Sequence, residues 1–88
     1  MYLYIEAEIY GQKFSLTSQV MGTSKASRIT YTLYPTTVFL EDDEIICESV
    51  EEDFDGKGSL CFLNKTTDGS SDYYSDVPVL EMRKVALS

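Results

Sequence analysis

The residue inventory decides first which reactions this chain can run. There is no histidine among its 88 residues, so the side chain best suited to moving protons near neutral pH is missing. Ser–His and Cys–His nucleophile systems and histidine-based zinc sites are lost with it. Two cysteines, Cys47 and Cys61, cannot complete a structural zinc site, and both lie in apolar runs that read as reduced core residues. No glycine-rich phosphate loop is present. What remains is carboxylate. Glu41, Asp42, Asp43, Glu44, Glu48, Glu51, Glu52, Asp53 and Asp55 crowd residues 29–56, a stretch without Lys, Arg or His. Paired carboxylates can do acid–base work, but a segment this rich in acids singles out no pair. The expectation is a protein with no catalytic residues and no cofactor, not an enzyme.

One part of the acidic stretch has a second reading. Asp53-Phe54-Asp55-Gly56-Lys57-Gly58-Ser59-Leu60 resembles part of an EF-hand loop, with Asp53 and Asp55 at ligand positions, Gly58 at the invariant glycine and Leu60 at the apolar position. Lys57 stands where an oxygen ligand belongs, and Asn64 where the bidentate glutamate belongs. A hairpin turn explains the same glycines. A weak calcium-binding β module is therefore an alternative, and no metal-ligand set is assigned.

The charge is localised. The formal net charge is −8, yet residues 1–28 sum to +1 and residues 57–88 to zero. A one-sign field draws counter-charged partners and speeds their encounter. It repels nucleic acid phosphates and anionic lipid, so neither nucleic acid nor membrane is expected as a direct partner. The N-terminus has acids and tyrosines where a signal peptide needs a basic flank and an apolar run. The expected location is cytoplasmic, in the host cell if a phage encodes the chain. The sequon Asn64-Lys65-Thr66 matters only in a secreted protein.

The elements that must position these acids are strands. Residues 1–88 read as a single domain. Leu3, Ile5, Ala7 and Ile9 alternate with Tyr2, Tyr4, Glu6, Glu8 and Tyr10, the period of a half-buried strand. Gly11-Gln12 is the expected turn, with Phe14 and Leu16 on the return strand. Residues 17–27 read as a loop, or alternatively as one short helix of an α+β fold. Ile29–Tyr34 alternates again and should end or lie at an edge at Pro35. A turn at Asp42-Asp43 pairs Leu40 with Ile45 and Val38 with Cys47. Asp55-Gly56-Lys57-Gly58 is a hairpin signal, and reconciling its register with the preceding hairpin requires a bulge near Ser49–Glu52. Asn64–Asp76 reads as a polar loop carrying Tyr73 and Tyr74, and Val77–Val85 as the last strand. The predicted fold is mostly β: an antiparallel sheet of about six or seven strands folded as a small barrel or sandwich.

Same-face residues on a strand lie about 6.6 Å apart. Glu44, Glu48 and Glu52, with Glu41 beside them, would then form a ladder of charge spaced broadly like backbone phosphates. Lysines and arginines placed for phosphate also bind carboxylate. The expected function is a non-enzymatic acidic protein that offers this surface to a basic, nucleic-acid-binding protein or nuclease. In size, acidity and lack of catalytic residues the chain is similar to the small anti-CRISPR and anti-restriction inhibitors of phages and mobile elements, several of which imitate DNA. The residues expected at the partner surface are the nine acids named above, with Tyr73 and Tyr74 as anchors, since tyrosine offers a large rigid face with a polar tip. A small structural subunit acting by self-association is the alternative, and a homo-oligomer is compatible with either.

Overall fold

The alternation at the start of the chain forms the strand it predicts. In the computed structural model, which describes residues 1–86, β1 spans Tyr2–Ile9 and buries Leu3, Ile5, Ala7 and Ile9. Six strands follow: β2 (Gln12–Lys25), β3 (Ile29–Phe39), β4 (Asp43–Glu52), β5 (Gly58–Thr66), β6 (Ser71–Pro78) and β7 (Glu81–Val85). Their order across the sheet is β6-β5-β4-β3-β2-β1-β7, and every neighbouring pair is antiparallel. The fold is all-β. No helix occurs among the described residues, so none is long and apolar enough to cross a membrane.

Two corners curl this sheet. The first half of β2 pairs with β1 through Gln19, and the second half pairs with β3 from Val20 onward, with a register break between Val20 and Gly22. The other corner is at Val79–Leu80. There the Val79 amide donates to the Gly58 carbonyl (3.1 Å) and the Leu80 amide to the Glu6 carbonyl (2.7 Å). β6 and β7 are thus one path that leaves β5 and joins β1. The corner packs directly on Gly58, where an added Cβ would sit 2.9 Å from Val79 Cγ2 and 3.1 Å from the Met82 sulfur. The result is a half-closed barrel around Leu3, Ile5, Leu33, Ile45, Cys47, Val50, Leu60 and Phe62. Each fully buried large aliphatic or aromatic side chain there contributes about 1.5–3 kcal/mol by leaving water. Closure is incomplete. β7 covers β1 only from Tyr2 to Glu6, and no strand among the described residues pairs with the outer edge of β6. A seam lies between them.

Several local expectations are corrected. Residues 17–25 are neither loop nor helix but the second half of β2, and of the expected loop 64–76, residues 64–66 end β5 and residues 71–76 lie in β6. The first turn is Tyr10–Gly11, one residue earlier than expected, with φ of 52° and 75°. Both positive angles are what a tight hairpin's right-handed twist demands. β3 continues through Pro35 to Phe39 because the register breaks there, between Thr32 and Thr36, so no ladder bond is required of the proline. The next turn is Glu41–Asp42, not Asp42–Asp43, since Val38 opposes Ile45 and Phe39 opposes Glu44. This register keeps the same apolar residues inside and avoids the Glu41–Glu44 opposition. The bulge falls at Glu48, just before the expected window. The last strand is interrupted at Val79–Leu80 rather than running from Val77 to Val85.

Candidate protein-binding surface

The Glu48 bulge determines where the acids point. Before it, Ile45 and Cys47 face inward, which turns Glu44 outward beside the exposed Phe39. After it, Val50 faces inward, which turns Glu51 outward and Glu52 to the core side. The Tyr31 hydroxyl, at the rim of the core, donates to Glu52 at 2.9 Å. Burial, with that carboxylate second, pushes the Tyr31 hydroxyl pKa up. So the ladder Glu44–Glu48–Glu52 does not form: Glu52 lies on the opposite side of the sheet, and Glu41 lies in the turn, its amide bonded to Gln12 Oε1 at 3.1 Å.

The nine acids divide into three groups. Glu41, Asp42 and Asp43 occupy the β3–β4 tip, with Glu44 beginning the outer face. Glu44, Glu48 and Glu51 run along the outer face of β4. Glu52, Asp53 and Asp55 cluster at the far end, about 30 Å from the tip by strand rise. Of the nine, Glu48 and Glu51 are near enough for their charge to act on Tyr73. That ring is 58% exposed, and its hydroxyl pKa is raised by partial burial first, then by the Cys61 thiol, then by the negative charge of Glu48 and Glu51. Tyr74 points the other way. It stacks on Phe62 (centroids 5.3 Å apart) and accepts a hydrogen bond from the Tyr10 hydroxyl at 3.2 Å. The two tyrosines therefore do not form one anchor pair.

Cations neutralise little of this. Arg28 reaches Asp76 (3.0 Å) and Glu51 (3.5 Å) across the outer face, and Arg83 pairs with Glu81. Among the described residues Glu51 is the only one of the nine acids with an ion-pair partner. Lys65 stands opposite Glu44 in the ladder without forming an ion pair.

The calcium-like loop has a structural occupation. Asp53 Oδ1 accepts the amides of Asp55 and Lys57, each at 2.9 Å, and the Asp53 amide donates to the Lys57 carbonyl. Gly56 closes the turn at φ 80°. The Asp53 carboxylate is a turn cap, and no group of three or more Cys, Asp or Glu side chains able to hold a metal occurs among the described residues. The cysteines are free and buried, and burial pushes the Cys47 thiol up to about 12. Asn64, the sequon residue, is 2% exposed, out of reach of modification.

Three features were not predicted from sequence. Phe54 is 92% exposed at the tip of the Asp53–Lys57 turn, and Phe39 is 74% exposed beside Glu44. Flanking acids were the available signal for Phe54, whereas Phe39 sits between Val38 and Leu40 and carried none. Tyr10 is the third: its hydroxyl joins Tyr74 to Asn64, whose Nδ2 donates to it at 3.2 Å. No local pattern reveals a contact between residues so far apart in the chain. No protein-family model matches this chain, and neither does any curated protein or solved structure.

Proposed function

We propose that this chain is a non-enzymatic binding protein that presents the outer face of β4 to a basic, nucleic-acid-binding protein. The observation that carries the reading is the alignment of Glu44, Glu48 and Glu51 on one exterior face beside the exposed ring of Tyr73. A charged row supplies steering and an aromatic supplies contact area, the division of labour found at interfaces. The surface suits a target whose lysines and arginines are arranged for phosphate. An inhibitor of a nuclease, of the kind phages and mobile elements direct against host defence, is the function such competition would serve.

The test is capture from lysate at low salt, with elution by DNA, followed by association kinetics on the captured protein. Glu44→Lys combined with Glu48→Lys removes neither an ion pair nor a core contact, so the domain should fold. Its association rate should fall by at least about tenfold at low salt, the lower end of what steering supplies. An unchanged rate would end this reading.

A further inference from the structure

The open seam between β1 and β6 supplies a recognition mode that the acidic face alone does not. Among the described residues, the eight-residue β6 has no strand on its outer edge, and the Ala7–Ile9 stretch of β1 also lacks an outer neighbour. Between them lies a cavity of about 210 Å³ lined by Glu8, Ile9, Tyr10, Phe62, Tyr74 and Val77. Natural sheets protect exposed edges with lysines, prolines, bulges or short length. β7, at the other edge, is short and carries Arg83 and Lys84. β6 has no cation at all. Its bulge at Ser75–Asp76 and its Pro78 lie at the end nearest the corner, which leaves Ser71–Tyr74 as regular, unguarded edge. The preceding turn holds that edge in place: Asp68 Oδ1 accepts the Ser70 amide at 2.9 Å and the Ser70 hydroxyl at 2.7 Å.

Resting on the reading above, we propose that this edge binds an extended basic segment of the partner by strand addition, filling the seam. Charge selects the occupant. Asp72 lies on β6, Glu8 lines the cavity and Asp43 is near enough to act on the Tyr74 hydroxyl, while Asp76 is already paired with Arg28. A second copy joined edge to edge would bring its own Asp72 and no β6 cation to meet it. The alternation of an added strand specifies the segment further. Side chains on its inner face meet Ile9, Phe62 and Val77 and are apolar, except beside Asp72, which lies opposite Asn64 on that same face. Those on its outer face lie alongside Tyr73, in the field of Glu48 and Glu51, and are Lys or Arg. Entry of the segment displaces the Tyr10–Tyr74 hydroxyl contact that now spans the opening.

An alternating lysine–valine peptide is the probe, compared with the same peptide methylated at alternate backbone nitrogens and with a glutamate–valine counterpart. Binding is read by calorimetry and by amide hydrogen exchange. The proposal expects the unmodified peptide to bind and to protect amides within residues 71–75. It expects N-methylation to weaken affinity by roughly tenfold, two or so backbone hydrogen bonds' worth, and the acidic peptide not to bind. Ser75→Lys, an exposed edge change, should weaken binding while Glu44→Lys leaves it within about twofold. Equal affinity of the methylated peptide, with protection along β4 instead, overturns strand addition and leaves the acidic-face reading standing. No binding of the lysine–valine peptide, with the captured target still steered by Glu44 and Glu48, likewise overturns only the edge proposal. Loss of both signals overturns both.

Discussion

Asn64 offers the sharpest test of the packing described above. It is 2% exposed, its Nδ2 bonds the Tyr10 hydroxyl, and its Oδ1 has no partner. Turning the amide over would satisfy the oxygen and orphan the nitrogen instead, so one buried polar atom stays unmet either way. Replacing it by leucine, which has a similar branched shape, changes three terms. The orphan penalty of about 1–3 kcal/mol is relieved. One neutral hydrogen bond is lost, about 1 kcal/mol, while Tyr10 keeps its contact with Tyr74. Apolar burial is gained, about 1 kcal/mol or more. Asn64→Leu should therefore be stabilising by about 1–3 kcal/mol, read in urea as a raised midpoint at constant m-value, with Tm higher by roughly 4–8 °C per kcal/mol. Asn64→Asp should do the opposite, since it places a charge in the core beside Asp43 and Asp72 on the flanking strands. A loss of 1 kcal/mol or more in Asn64→Leu would refute the reasoning and show that Oδ1 is satisfied in solution by a buried water. A gain would mean that the asparagine is kept for something other than stability, and it lies next to the seam where the partner segment is placed.

Three further outcomes follow from other parts of the fold. Cys47 has its thiol pKa raised from 9.0 to about 12 by burial. The folded state therefore holds a proton that the unfolded state releases, so this stabilisation is complete below pH 9 and lost as pH climbs towards 12, by at most about 4 kcal/mol. Cys47→Val should flatten the decline in urea midpoint between pH 8 and 10.5, and parallel curves for the two proteins would contradict it. Gly58→Ala should destabilise by about 1–3 kcal/mol, because the new methyl group runs into a β-branched side chain at the corner; wild-type stability would mean that the corner yields freely. Asp53→Ala should lower stability by about 1–2 kcal/mol through loss of two amide acceptors, while Asp53→Asn, which retains the oxygen, stays close to wild type. Calorimetry of the wild type with millimolar calcium should show no heat, and a binding isotherm abolished by Asp53→Asn would restore the metal reading.

How much of this was legible in the sequence follows from how each strand is buried. β1 is covered on its aliphatic side, and its alternation is unmistakable. The second half of β2 runs past the core with Met21–Lys25 all exposed, so nothing imposes an apolar stripe and its polar residues resemble a loop. β6 was missed for the same reason: an exposed edge strand of Ser, Asp and Tyr has no apolar period to read. The need for a bulge could be inferred, because no continuous register kept both hairpins' apolar faces inside, but its position depended on how Cys61 and Cys47 pack. The acidic segment was easy to see and its direction was not, since a single extra residue at Glu48 sends Glu51 outward and Glu52 to the core side. Tyr10, Asn64 and Tyr74 meet only because the curl brings both ends of the sheet together.

The pairing of β7 with β1 also sets a timetable. Tyr2 is aligned with Val85, so the Tyr2–Glu6 edge of β1 gains its neighbour only after β7 has been translated. Until then that edge of β1 is unpaired, and the pairing that covers it is highly non-local, a topology that folds slowly. Chaperone demand in this molecule should therefore concentrate on β1 until β7 emerges.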